Sequence, residues 1–328
     1  MSPSDPTPYA ATAAAASAPP PVPPVTGGGG GADRTGLAIF LMCAVSFIFA
    51  LQDAFSRILG ASYAPELIVM LRYWVFAVFV IALTARQPGG IARALRTRRP
   101  VTQIARGVIL ALEVLVMIEA FVRLGLIETH AVFAVYPLMV AALSGPVLGE
   151  RVGWRRWTAI GIGFAGILVI LQPGGGVMTP AALLPALAAL LFAVYGLLTR
   201  HVSRDDPAAV SFFWTGIAGA VAMTLVGIRH WEPLAPAHWV WMAALCICGM
   251  TSHYLMIRAY ELAEASALQP FAYTQLVWVS VIGVWLFDEA LRSNVILGGA
   301  IVVGAGLFTL ARQRRRQARS SATAAAGR

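Results

Sequence analysis

The chain has 328 residues, 59% hydrophobic and only 12% charged, a composition that one soluble core of this size cannot accommodate. Its formal net charge of +9 comes from 24 basic residues, all of them arginine, against 15 acidic ones. The arginines lie mainly in loops and at the C-terminus, where they act as topology signals, so a nucleic-acid partner is rejected; the three cysteines fall inside apolar segments and imply packing, with no disulfide framework or zinc site.

Residues 1–34, rich in Ala, Pro and Gly and lacking a basic segment that leads into an apolar one, read as an unstructured tail and not as a cleavable signal. From residue 35 onward the chain is a succession of apolar runs, each about 20 residues long, the length one helix needs to cross the roughly 30 Å hydrocarbon core of a bilayer. Ten spans are predicted, at 36–58, 66–85, 102–124, 127–148, 153–171, 180–200, 208–228, 237–260, 265–286 and 292–311. The loop after the second holds Arg86, Arg93, Arg96, Arg98 and Arg99, and the loop after the fourth holds Arg151, Arg155 and Arg156. The tail 312–328 adds Arg312, Arg314, Arg315, Arg316 and Arg319. These lie on one side only if the count is even, and the positive-inside rule makes that side the cytoplasm, with both termini there. The setting expected is a bacterial cytoplasmic (inner) membrane.

A constant offset of 139 relates the later parts of two halves, 35–172 and 179–311: Glu150 falls on Glu289, Met117 on Met256, Ala120 on Ala259 and Leu171 on Leu310. Each half has five spans, an odd number, so the second enters the membrane with opposite orientation. The fold class predicted is all-α and integral to the membrane, ten transmembrane helices in two inverted five-helix repeats. In this architecture the substrate site lies near the midplane between the halves.

Particular stretches carry a resemblance: His130-Ala-Val-Phe-Ala-Val-Tyr-Pro137, Leu148-Gly-Glu-Arg151 and the helix Gly161 to Gly166, with second-half partners Pro270 to Gln275, Phe287-Asp-Glu-Ala290 and Gly298 to Gly306. In these the chain resembles the EamA-type transporters of the drug/metabolite transporter superfamily over nearly all but its two tails. The resemblance implies transport of a small metabolite, and Arg72 stands where such proteins often carry an arginine. Asp53, Arg57 and the stretch Pro65 to Arg72 are similar to members assigned to riboflavin or S-adenosylmethionine uptake. The second half departs from the pattern: Leu276 stands opposite Pro137, which argues against a helix break shared by both halves.

A charged side chain at a helix centre costs about 2.5–3.5 kcal/mol on insertion scales, so each must be paired, hydrated or functional. Asp53, Arg72 and Glu119 each lie five or six residues from the presumed outer end of a span, roughly 8 Å deep at 1.5 Å per residue. They are expected to form one polar layer, either pinning three helices through Arg72 or contacting substrate and protons. Glu113 lies near the middle of its span; its repeat equivalent is Ser252, next to His253, so Glu113 and His253 are expected to face one cavity as titrating groups. Tyr136 and Gln275, equivalent on the fourth and ninth spans, and Trp278 are further substrate-contact candidates, with Tyr195, Trp214 and Tyr273 as weaker ones. Arg106, Arg57 and Arg123 are expected to reach the membrane surface, Arg258 to pair with Glu261 or Glu264, and Glu150 and Glu289 to cap the helix that follows each.

No Walker A sequence, no His-Glu-x-x-His and no clustered metal ligands occur, so the residues name no catalytic group, no metal and no cofactor. The function expected is secondary active transport of a small organic, amino acid-like metabolite by alternating access, as an exporter or proton-coupled exchanger. A vitamin or nucleoside-like cofactor importer is the alternative, and a non-transporting membrane enzyme or assembly subunit the alternative of another class. The partners expected are the small-molecule substrate and the lipid bilayer, with the protein a monomer or homodimer.

Overall fold

The structure, a computed structural model, describes residues 30–148, 154–172, 180–203, 205–262, 268 and 271–326. Among them are twelve α-helices and no strand: α1 (Gly30–Gly60), α2 (Pro65–Ala85), α3 (Gly90–Leu95), α4 (Pro100–Leu124), α5 (Leu126–Phe133), α6 (Tyr136–Leu148), α7 (Trp154–Leu171), α8 (Leu184–Val202), α9 (Ala208–Gly227), α10 (His238–Leu262), α11 (Thr274–Phe287) and α12 (Ser293–Ala326). Proline in the first turn of α2, α4 and α8 costs no hydrogen bond there and starts each helix after its loop. Two helices run into the segments expected as tails, since α1 begins at Gly30 and α12 continues to Ala326.

Five stretches are long and apolar enough to cross a membrane: Gly36–Gly60, Pro65–Ala85, Leu126–Ser144, Leu184–Val202 and Ala208–His230. The first, second and fourth fall in α1, α2 and α8, the fifth runs from α9 through the turn that follows it, and the third joins α5 to α6. Shorter apolar stretches lie in α7, α11 and α12. The two remaining members, α4 and α10, have 25 residues each. Large apolar side chains such as Val78, Leu225, Val240 and Trp285 are exposed, a surface that water would penalise and lipid accepts.

The packing follows a pseudo-two-fold. With α5 and α6 counted as one span, α1, α2, α4, α5/α6 and α7 correspond in order to α8, α9, α10, α11 and α12. The correspondence turns the α1–α10 packing into α8–α4, and α1–α11 into α8–α6; all four pairs are extensive. The pairs α2–α9 and α7–α12 map onto themselves and are also extensive. At α7–α12 the backbones touch: a Cβ on Gly166 would lie 2.9 Å from the Gly298 carbonyl oxygen, and one on Gly298 2.5 Å from that of Gly166.

One apolar cluster gathers Leu67, Met70, Ile118, Met223 and Leu245 where α2, α4, α9 and α10 meet. A second gathers Val132, Leu138, Ile167 and Val302 from α5, α6, α7 and α12. A smaller cluster, with Ala54, Met117, Leu126 and Val279, joins α1, α4, α5 and α11.

The helix break is shared by both halves, contrary to the expectation drawn from Leu276. In the first half it falls at residues 134–135, just before Pro137; in the second at Tyr273, 139 residues beyond Ala134. Proline removes a backbone donor in the first half. In the second the Thr274 hydroxyl donates to the Phe271 carbonyl at 2.6 Å, and Leu276 N bonds Tyr273 O in a tighter turn. A side-chain hydroxyl thus accompanies the second break where proline accompanies the first.

Candidate substrate site

The breaks set the site's position, because Tyr136 and Gln275 lie immediately after them at the starts of α6 and α11. Gln275 donates from Nε2 to Asp53 Oδ2 on α1 at 3.0 Å. The same oxygen is 3.0 Å from His130 Nε2 on α5. His130 is 6% exposed, stacked on Phe121 at 5.4 Å between ring centroids and set edge-on to Phe133. Asp53 therefore binds helices of the first repeat, α1 and α5, to α11 of the second. Such a network must be fully satisfied to hold, since low dielectric strengthens a made bond and penalises a missing one.

A second group surrounds Arg72 of α2. On the helices that pack against α2, Glu113 lies on α4 and Cys246 and His253 lie on α10. Glu113 is 6% exposed. His253 donates from Nδ1 to the Gly249 carbonyl at 2.8 Å. Its ring lies edge-on to Phe49 at 5.7 Å and 6.0 Å from both Phe76 and Phe212, so α1, α2 and α9 each supply one aromatic wall.

The single polar layer expected from Asp53, Arg72 and Glu119 does not form. Glu119 pairs instead with Arg123 one turn along α4, both partly exposed, while Asp53 is engaged by His130 and Gln275. Arg72 has no carboxylate within 4 Å among the described residues. The physical reason is local: an i,i+4 partner on its own helix satisfies Glu119 without reaching across the bundle.

Of the aromatic candidates, Tyr136 packs against Phe133 and Phe192. Trp278 stands edge-on to Phe47, its Nε1 buried without a partner among the described residues. Trp214 donates to the Ala94 carbonyl and Tyr195 takes a bond from Arg106, which places both in packing around α4 and α9.

Three arginine and glutamate expectations are corrected. Arg106 does not reach the surface: it is 2% exposed, donating to Gln103 Oε1, Tyr195 Oη, Thr199 Oγ1 and the Ser211 carbonyl, so neutral oxygens of α4, α8 and α9 satisfy its fork. Arg57 forms an ion pair with Glu289 and lies 4.0 Å over the Phe287 ring. Glu289 caps a helix of the other repeat, accepting Leu126 N at 2.7 Å and Ile127 N at 2.9 Å at the start of α5. Glu150 lies outside the described residues, as do the side chains of Glu261 and Glu264 expected to pair with Arg258.

Sequence reasoning missed His130 and Gln52 as candidate residues. The only signal for His130 was its place at the head of the stretch ending in Pro137, for its partner Asp53 is 77 residues away. Gln52 is 4% exposed, its Oε1 buried without a partner among the described residues, and nothing in an apolar helix marks that in advance.

Membrane-length helices in two symmetry-related sets of five, bridged by inward polar groups, define a multi-pass membrane protein of the transporter type. The chain belongs to the EamA-like transporter family, which matches residues 36–172 and again 179–311. It is 22% identical over 278 residues to the S-adenosylmethionine uptake transporter of Rickettsia prowazekii (strain Madrid E), covering 84% of this chain and 92% of that one. It is 29% identical over 255 residues to the riboflavin transporter of Rhizobium johnstonii, covering 75% and 82%. A solved crystal structure shares the fold with a TM-score of 0.56 at 20% identity, over 87% of this chain and 98% of the other.

Proposed function

We propose that the protein carries a heteroaromatic metabolite of the nucleoside or flavin class into the cell by alternating access, as a secondary transporter of the cytoplasmic membrane. The observation that carries this reading is the inter-repeat junction of Asp53, His130 and Gln275 beside the Arg72, Glu113 and His253 group, polar chemistry set between inverted repeats where such carriers hold their substrates. The aromatic walls of Phe49, Phe76 and Phe212 suit a planar ring. The relatives' names favour a vitamin or nucleoside-like cofactor over the amino acid-like export substrate expected from the residues alone.

The arginine distribution supports a topology with both termini in the cytoplasm. Glu113 and His253 are the groups assigned to proton coupling, each able to change charge between the two facing states.

Uptake of radiolabelled riboflavin and S-adenosylmethionine into proteoliposomes, with and without an imposed pH gradient, tests the reading. Saturable uptake of one of them is expected, slowed at least tenfold by Glu113→Gln and no longer responsive to the gradient. Wild-type transport with unchanged pH response in a correctly inserted Glu113→Gln protein removes Glu113 from the mechanism.

A further inference from the structure

We propose that the cleft between α7 and α12 binds an anionic phospholipid, one acyl chain lying in the cleft and the phosphate at its arginine-bearing end. The inference is independent of which substrate is carried. These two helices run antiparallel and are tied along part of their length: Asn294 Nδ2 donates to the Ile170 carbonyl at 2.8 Å, and one turn further in the Gly166 and Gly298 backbones touch. Beyond that contact they part. A Cβ on Gly161 or on Gly304 would meet nothing within 4 Å, and a cleft of about 540 Å³ opens between Trp154, Thr158 and Ile162 of α7 and Ile301, Gly304 and Phe308 of α12.

The walls and the length suit a hydrocarbon chain. The Thr158 hydroxyl already donates to the Trp154 carbonyl at 3.1 Å, and the remaining lining is aliphatic or aromatic. Trp154, Ile162 and Phe308 are exposed along the rim, so the cleft is open to the surrounding lipid. Trp154 to Ile162 on one helix, like Ala300 to Phe308 on the other, covers about 12 Å at 1.5 Å per residue. One leaflet of a bilayer with a hydrocarbon core of roughly 30 Å has about that depth.

Charge selects the headgroup. Arg155 stands four residues before Ala159, and Arg312 and Arg315 stand four and seven residues beyond Phe308, so helical periodicity puts all three positions in line with the cleft. Neither α7 nor α12 contains an Asp or Glu. Arg312 is already engaged within the chain, which leaves Arg155 and Arg315 as the pair to test. A guanidinium fork matches phosphate, a tryptophan at a helix start is typical of the headgroup level, and basic pockets between transmembrane helices hold acidic lipid heads. A second copy of the chain is disfavoured there, because a two-fold dimer across the cleft would set these arginines against their own counterparts with no carboxylate on either helix between them.

Native mass spectrometry of the delipidated full-length protein, titrated with dioleoylphosphatidylglycerol and with dioleoylphosphatidylcholine, compares two lipids that share their acyl chains and differ in net charge. One phosphatidylglycerol per chain is expected to bind at least about fivefold more tightly than phosphatidylcholine, the equivalent of a single arginine acting on an anionic lipid. Arg155→Gln combined with Arg315→Gln is expected to bring that ratio below about twofold. Gly304→Phe, whose side chain enters open space, is expected to abolish the tight adduct of either lipid. Equal affinities for the two lipids, a preference that survives the loss of both arginines, or a tight adduct undiminished in Gly304→Phe overturns the proposal. A dimer that Gly304→Phe dissociates also overturns it, by seating a second copy in the cleft. The lipid comparison needs no substitution, so it decides the matter on the wild-type chain alone.

Discussion

The Glu289 carboxylate, carried on the loop between α11 and α12, accepts the backbone N–H of Ile127 at 2.9 Å in the opposite repeat. Its other oxygen takes Leu126 N and the Arg57 guanidinium, so one side chain neutralises an arginine and occupies the positive end of α5. Hydrogen bonds to charged groups contribute about 1.5–3 kcal/mol each when a partner is lost. Glu289→Ala is expected to destabilise the protein by about 2–4 kcal/mol in thermal unfolding, and Glu289→Gln by less, because an amide still accepts one N–H. Equal unfolding temperatures for Glu289→Ala and wild type would remove the cap from the account.

Gly125 closes α4 beside this cap at φ +88° and ψ 172°, a backbone region left essentially to glycine. A Cβ there would also stand 2.7 Å from Glu289 Oε1. Gly125→Ala is expected to lower stability by about 1–3 kcal/mol from backbone strain alone. Combined with Glu289→Ala its cost is expected to be sub-additive, since the steric part disappears with the carboxylate. A double-mutant cycle on unfolding temperatures reads this directly.

Asp53 and Gln275 give a test with opposite signs. Gln275→Glu replaces a donated bond of 3.0 Å with two facing carboxylates and is expected to destabilise strongly. Adding Asp53→Asn is expected to restore a donor–acceptor pair and recover part of the loss. An additive double mutant would show that the two side chains are not coupled.

Asp206, in the turn between α8 and α9 and outside the spans, supplies a pH dependence. Burial pushes its carboxyl up, but bonds from the Thr97 hydroxyl, the Gln103 amide and the Arg98 backbone N–H outweigh this and hold it below the usual carboxylate range. A folded-state value depressed below the unfolded one stabilises fully above the unfolded pKa of about 3.9, and that contribution is lost as pH falls through the folded value. Asp206→Asn is therefore expected to cost stability at pH 7 and to flatten the acid limb below about pH 4, read from unfolding temperature against pH.

Span count and inverted arrangement were legible because they depend on run length, charge placement and parity, all local to the chain. Individual polar residues in apolar helices were legible for the same reason. Partner choice was not. Glu289 meets Leu126 across 163 residues and Arg106 meets the Ser211 carbonyl across 105, and which oxygen lies opposite an arginine depends on inter-helix packing that hydropathy does not encode. The break at Tyr273 was missed because Thr274 achieves with a hydroxyl what proline announces openly.

The touching backbones of Gly166 and Gly298 constrain how the two repeats can move past each other. With main chain against main chain there is no side chain to change rotamer and absorb a displacement, so sliding α7 along α12 meets immediate steric resistance. Turning about that contact does not. The seam behaves as a fulcrum: a small tilt there is magnified with distance from it, and the widest excursions fall on the helices farthest away.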